Sequence, residues 1–390
     1  MDTHSPLLID AGRVTDPCCV DAALELLTKS LSNPPNGDLW APHHSPFIQA
    51  LIERFTQFGL TQIATVNEEL NAWLAGERSE QGAPAPAPAP GSYWSLSSQE
   101  LGVARLFLAH LPLEHWSLWD YNLLIEYLMG RYLPAGALRN EAEKYAVQTS
   151  LMGKVQAMVP ELTLAGASSV VAALPTSVVV AKAQFRLPAI AQAVMDYGYV
   201  HCAEQVTSIS DAYKHKLKTI VMEHQSQVLY GEKPATSLQS KLLDAMGDAN
   251  KDWRNIALTE AGELANQGLI AALTPGERVR RQEAYKGACP FCRKIDNKVF
   301  DVVPADAPDK DGETQVWPGK TNIGRSASPM KRGPLGLVER TPDELWWPAA
   351  GVQHPHCRGT WHREVPAVPG VSDEFKAWLE KHLAQGRQTT

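Results

Sequence analysis

Two short ligand pairs near the C-terminus constrain the fold more than anything else in the chain. Cys289 and Cys292 form a C-x-x-C in the run Ala288-Cys289-Pro290-Phe291-Cys292-Arg293, and His354-Pro355-His356-Cys357 follows much later as an H-x-x-C. Three thiols and one imidazole make a tetrahedral Cys3His set, which suits a structural zinc ion. Such a site pins together the ends of residues 289–357, a loop-rich stretch with little hydrophobic periodicity of its own. A lone C-x-x-C is commonly redox-active or incidental; the second half-site is what makes this pair a metal pattern. The bland alternative is reduced thiols and a surface histidine with no metal. His356 could replace His354 as ligand. His354 is preferred, because H-x-x-C puts both ligands on one turn, as C-x-x-C does.

Composition narrows the class. The chain has 390 residues, 44% of them hydrophobic, enough for two or three domains with their own cores. Its net charge of −7 argues against a dedicated nucleic-acid binder, which is usually basic. Six cysteines, three of them in the proposed metal set, are too few and too unevenly placed for a disulfide framework. Cys18, Cys19 and Cys202 are left over, and the whole usage points to a reducing compartment. No signal peptide is visible at Met1-Asp2-Thr3-His4. The most apolar stretch, residues 162–181, is interrupted by Thr163, Ser168, Ser169, Pro175, Thr176 and Ser177. It falls short of the roughly twenty apolar residues of a membrane span, so it reads as buried or interfacial protein and no membrane partner is expected.

Periodicity gives a mainly α protein. A first helix is expected from about Ser45 to Leu74, with Ser45 as N-cap, Pro46 at the first helical position and Gly59 bending or dividing it. Residues 82–91, Gly-Ala-Pro-Ala-Pro-Ala-Pro-Ala-Pro-Gly, read as an extended spacer. Ser97 and Glu100 make a capping box. Trp116, Trp119, Tyr121 and Tyr127 enrich residues 113–133 in aromatics, read first as core and second as an interface anchor. Further helices are expected over Arg139 to Val159 and residues 189–229. A short one capped by Thr236 should run to Met246, and another capped by Asn250 should run from Lys251 to Leu273, where Thr274-Pro275-Gly276 ends it. Beyond 275 the chain becomes loop-rich, with short strands at Val299–Val303 and Thr360–Glu364. The expected fold class is a multi-helix body with a small C-terminal α+β zinc-stapled module and long loops. Its expected parts are a helical module at 1–80, a linker at 81–95 and an aromatic-rich helical region at 96–175. A domain at 176–365 follows, with the zinc module at 277–365, and then a helical tail at 366–390.

Three features in order carry a family resemblance. They are the helix Trp253-Arg254-Asn255-Ile256-Ala257-Leu258-Thr259-Glu260 continuing to Asn266-Gln267-Gly268, the run from Cys289 to Phe300, and His354-Pro355-His356-Cys357-Arg358. This order resembles the C-terminal domain of phage Mu F-like minor head (head morphogenesis) proteins, over residues 180–365 and most closely over 250–360. Two departures stand out. Asn297 occupies the place of a usual glycine after Asp296, and Gly359 that of a second cysteine, which leaves Cys357 as the fourth ligand. The resemblance implies a virion protein, made in the host cytoplasm and present in the phage head. It would act in head assembly at or near the portal, with DNA packaging or ejection as further roles. Portal protein and major capsid protein are the implied partners, and no small-molecule substrate is implied.

Thr259 and Glu260 stand out physically. A buried glutamate on a helix needs a partner, and Arg280, Arg281 or a backbone turn of the zinc module would tether the helix to that module. Catalytic readings fare worse. A zinc deaminase needs H-x-E upstream of its cysteine pair, whereas His362-Arg363-Glu364 lies downstream. A P-loop around Gly319-Lys320-Thr321 fails because Thr314 stands at its first glycine position. Cys202 lies within a helical pattern with nothing to activate it. The strongest enzymatic rival is a metal-dependent, HNH-like nuclease using His356 or His362. Four protein ligands, however, would leave the zinc no open position. Packaged DNA is a further candidate partner. Arg278, Arg280, Arg281 and Lys286 precede the metal pattern, and Lys320, Arg325, Lys331 and Arg332 lie in the insertion, whose composition reads as mobile loop. Of these, Arg280, Arg281, Lys331 and Arg332 are the DNA-contact candidates, provided the fold clusters them.

Overall fold

The computed structural model describes residues 45–77, 96–158, 170–283, 288–333 and 336–364, with 377, 378 and 381 beyond them. The Pro-Ala spacer, Cys18, Cys19 and Lys286 lie outside the described residues, as does most of the expected C-terminal tail. The described chain is mostly helical with a small C-terminal sheet region. Its helices are α1 (Pro46–Leu74), α2 (Ser98–His110), α3 (Leu118–Tyr132), α4 (Ala135–Met158), α5 (Val178–Phe185), α6 (Ala189–Leu229) and α7 (Leu238–Ile270). The Ser97–Glu100 capping box starts α2 as expected: Glu100 N donates to Ser97 Oγ, and Ser97 N donates to Glu100 Oε2. Ser45 stands at the cap position of α1 but makes no side-chain cap bond.

α7 is the centre of the body. It packs against α1, α4 and α6, and one continuous apolar core runs from Phe47 in α1 to Ala265 in α7. The helix assigned from sequence to a separate N-terminal module therefore shares that core. Phe55 of α1 stacks on Tyr145 of α4 with ring centroids 4.2 Å apart. The Trp253 indole N–H donates to Phe55 O at 3.0 Å, and the Tyr145 hydroxyl to Ala257 O at 2.6 Å. Gly59 does not divide α1, which runs unbroken through it. It makes room for the Trp253 indole, which an added Cβ would meet at 2.0 Å. A second close approach holds α4 on α7. Built Cβ atoms at Gly153 and Gly268 would lie 2.1 and 2.2 Å from the carbonyl oxygens of Ala265 and Ser150.

Two expected helices are one. α7 begins at Leu238 with Ser237 as its cap, whose side chain accepts from Ser240 N, and it passes through Asn250 without a break. A cap at Asn250 would leave the flanking apolar residues Ala245, Ala249 and Trp253 on separate segments; as one helix they line the same buried face. Of the aromatic region, Tyr127 is buried and Trp116 and Tyr121 pack on the core, whereas Trp119 is exposed. Among the described residues no helix is long and apolar enough to cross a membrane.

After α7 come β1 (Arg278–Gln282), the short α8 (Pro290–Ile295), β2 (Val299–Val302), β3 (Gln315–Val316), β4 (Met330–Gly333), β5 (Gly336–Glu339) and β6 (Thr360–Arg363). Four strands form a sheet in the order β3-β2-β1-β6, antiparallel except for β2 and β3. Its inner face (Val279, Phe300, Val302, Val316 and Trp361) packs on the C-terminal end of α7 at Leu269 and Ile270. The insertion read as mobile loop is packed. Lys320 is buried between the Trp317 and Trp347 rings, 4.6 and 4.9 Å from their centroids, and donates to Gly312 O and Gln315 O. Met330–Gly333 is one strand of the β4–β5 hairpin.

Candidate metal centre

Local backbone geometry delivers each candidate ligand. Cys289 caps α8 and accepts Cys292 N at Sγ, with Pro290 at the first helical position. The second pair sits on a tight turn in which Cys357 N donates to His354 O at 3.1 Å. Proline at its second position and a positive φ of 64° at His356 are the marks of a type II turn. That turn brings His354 and Cys357 to one side and sends His356 away.

The four residues converge. Ligand atoms of Cys289, Cys292 and His354 all lie within 4.8 Å of one another, and so do those of Cys292, Cys357 and Glu283. Cys292 Sγ is 3.4 Å from His354 Nε2 and 3.9 Å from Cys357 Sγ. His354 Nδ1 is 2.7 Å from Pro355 O. A carbonyl only accepts, so Nδ1 carries the proton and Nε2 offers its lone pair to the sulfurs. The imidazole is further held by stacking on Trp346, at 5.5 Å and 12°. His356 is not in the cluster, and burial pulls its imidazole down to about 4.

The thiols of the cluster set one another's ionisation. The Cys292 thiol beside it takes Cys289 down to about 4. Its two sulfur neighbours and its burial push Cys292 strongly up. Burial opposes ionisation of Cys357 as well, yet the Cys292 thiol and the Arg281 guanidinium hold it well below the usual thiol range. Three buried thiols this close cannot all be thiolates unless a cation joins them. Two overlapping groups that share Cys292 could each hold a metal ion: Cys289, Cys292 and His354, and Glu283, Cys292 and Cys357.

Glu283 and Arg281 are the residues that the sequence reading missed or misassigned. Both side chains are fully buried and paired, with Arg281 Nε donating to Glu283 Oε1 at 2.8 Å. Arg281 Nη2 also donates to Cys357 Sγ at 3.2 Å, and the guanidinium lies over the Trp361 ring, 5.2 Å from its centroid. The reason is the two-residue alternation of β1, which turns Val279 and Arg281 inward and Arg280 outward. Gly359 completes the arrangement, because a Cβ there would lie 2.0 Å from Glu283 Oε1. The Arg281 candidacy for DNA is thereby overturned: a guanidinium with no exposed surface cannot reach a phosphate. Arg280 pairs with Glu364 and donates to Asn297 O. Lys331 pairs with Glu344, and Arg332 is exposed on the β4–β5 hairpin. These candidates are spread over two sheets, and three of the four have carboxylate partners of their own.

The tether between α7 and the module also differs from expectation. Glu260 faces α6, where its Oε1 lies 3.0 Å from His201 Nδ1; it reaches neither Arg280 nor Arg281. Thr259 does hold the module, accepting His356 N at Oγ1 at 3.1 Å. Three residues on the same helical face join it. Glu263 Oε2 accepts Val352 N at 2.7 Å. Asn266 donates to Gly359 O and accepts Trp361 N. Gln267 accepts Gly319 N and donates to Lys320 O. The spacing i, i+4, i+7, i+8 was the available signal, since it puts four polar side chains on one stripe of the helix. Comparison with known proteins returns no match to this chain, whether to a family model, a curated protein or a solved structure.

Proposed function

We propose that Cys289, Cys292, His354 and Cys357 hold one structural zinc ion, and that the chain is a minor head protein of the phage Mu F-like kind. On this reading it acts in head morphogenesis at or near the portal, with portal or major capsid protein as partner. The observation that carries the zinc reading is the Cys292 spacing, 3.4 Å to the imidazole nitrogen and 3.9 Å to the Cys357 sulfur. Zn–S bonds of about 2.3 Å and Zn–N bonds of about 2.0 Å give tetrahedral edges of roughly 3.5 Å (S to N) and 3.8 Å (S to S). Four buried protein ligands close such a site, so the ion supplies folding energy rather than an open catalytic position. Arg281, itself paired with Glu283, donates to the Cys357 sulfur.

The head-protein reading rests on the ordered resemblance of the α7 motif and the two ligand pairs. The rival nuclease needs a histidine free to work beside the metal. His356 lies outside the candidate ligand groups, and the His362 ring lies 2.9 Å from Thr360 Oγ1. The test is twofold. Purified particles of the phage encoding this chain should contain it at a fixed copy number, and the purified chain should not cut plasmid DNA with Mg²⁺, Mn²⁺ or Zn²⁺. Absence from particles, or cleavage abolished by His356→Ala or His362→Ala, overturns the reading.

A further inference from the structure

Among the described residues Cys202, Cys289, Cys292 and Cys357 are free thiols. Cys202 lies alone in α6, and the other three share the metal centre. Cys292 is their common member: it belongs to both candidate ligand groups, whereas Cys289 and Cys357 never share one. A first disulfide among the three therefore includes Cys292. Its Sγ is 3.9 Å from Cys357 Sγ. Closing that gap to the disulfide length of about 2.05 Å takes a movement of roughly 2 Å, shared between two side chains. Arg281 donates to Cys357 Sγ at 3.2 Å and is itself held by Glu283 and Gly351 O, so it keeps two anchors if that sulfur moves. A cleft of about 480 Å³ is lined by His354, whose Nε2 is 3.4 Å from Cys292 Sγ. A water-sized oxidant in this cleft stands one side chain away from the sulfurs.

We infer that Cys292 and Cys357 are an oxidation site: a peroxide joins them as a disulfide, the bound metal is released, and the new bond takes over closure of the module. One sulfur attacks the peroxide oxygen and becomes a sulfenic acid; the other displaces its hydroxyl and forms the S–S bond. The two thiolate sulfurs lose two electrons in all. The O–O bond takes them and, with two protons from solvent, leaves as two waters. Both sulfurs give up their bonds to the divalent ion, which departs unchanged in charge. A bridge from Cys292 to Cys289 would stay within one turn of α8, and thiolate exchange at Cys292 converts one bridge into the other. Only the bridge to Cys357 joins the two ligand pairs. Its ends are 65 residues apart in sequence, and long closures contribute most to the folded state. The release of metal rests on the zinc reading above; the sulfur pair stands on its own spacing.

The test treats the full-length chain, as purified, with hydrogen peroxide. Three things are read: zinc released to a chromophoric chelator, disulfides mapped by mass spectrometry of a non-reduced digest, and protease resistance beyond residue 276. Loss of the zinc, a Cys292–Cys357 link and retained resistance are expected. Dithiothreitol with a zinc chelator should then abolish the resistance. Cys289→Ser lacks one metal ligand but keeps the pair, so oxidation should give it the link and restore its resistance. Cys292→Ser should gain neither. A Cys289–Cys292 link alone, sulfinic acid without a link, or resistance lost as the zinc leaves would each overturn the inference. A metal-free chain that still forms the Cys292–Cys357 link would remove the zinc reading and leave this one standing. Bound zinc with no such link after oxidation would do the reverse.

Discussion

At His356 the backbone sits at φ 64°, a conformation that suits glycine and strains most other residues. His354, two positions earlier, is the proposed ligand, so the two histidines of one H-P-H-C run separate cleanly by experiment. His356→Gly should keep the metal and leave stability unchanged or raised by about 1 kcal/mol, whereas His354→Ala should lose the metal. Loss of metal in the glycine variant, measured by elemental analysis, would reverse the assignment. Arg281 is a second case. Its removal strips a donor from Cys357 and leaves Glu283 buried without its partner. Arg281→Ala should weaken metal affinity by roughly 10–100-fold in chelator competition and cost about 3–5 kcal/mol; unchanged affinity would contradict the outer-support role. The sequence showed the cysteines and histidines because ligand chemistry is local. It hid Arg281 because basic residues are read as surface, and only strand alternation turns this one inward. Glu263 gives a pH signature. Burial raises its carboxyl to about 7 despite the donors it accepts. A raised acid favours the folded state most below its unfolded pKa of about 4.5, and that advantage disappears as pH rises through about 7. Wild-type stability should therefore fall by about 3 kcal/mol between those limits, and Glu263→Gln should flatten the slope. Parallel denaturation curves at pH 5 and pH 8 for both proteins check this; identical slopes would contradict it.

Among the elements, α7 does two jobs. Its apolar faces build the body core with α1, α4 and α6, and its polar stripe from Thr259 to Gln267 holds the module by that module's own backbone groups. The apolar periodicity of residues 251–273 made the second half of this helix legible. Its first half was cut off at Asn250, because a cap residue was credited over a continuous buried stripe. The α4–α7 crossing was not legible either, since nothing local marks Gly153 and Gly268 as partners across the fold. Gly268→Ala should cost about 1–3 kcal/mol through overpacking against Ser150 O, seen as a lowered melting temperature of the whole chain. An unchanged melting temperature would mean the helices can separate without loss. Asn266→Ala removes the partners of Trp361 N and Gly359 O, at about 1–3 kcal/mol for each buried group left unpaired. Limited proteolysis should then cut beyond residue 276 before it cuts the helices. Simultaneous digestion of both would show that the stripe is not a joint of its own.

For the molecule as a whole, one helical core extends to Ala265, and a smaller sheet core joins it at the end of α7. The mainly α class and the α+β C-terminal module followed from periodicity and the ligand pattern. The packing of the insertion did not, because its order comes from Lys320 between two tryptophans and from Asn322 bonding the distant backbone of Trp347 and Gln353, contacts with no sequence period. The central claim is that a metal closes residues 289–357 onto α7 and carries the module's folding energy. The most direct measurement is metal content per chain by elemental analysis, made on the wild-type protein and on Cys289→Ser and Cys357→Ser. One zinc per chain, lost in both variants together with protease resistance beyond residue 276, is the expected result. A metal-free wild-type chain whose module resists protease equally in all three proteins would contradict the account.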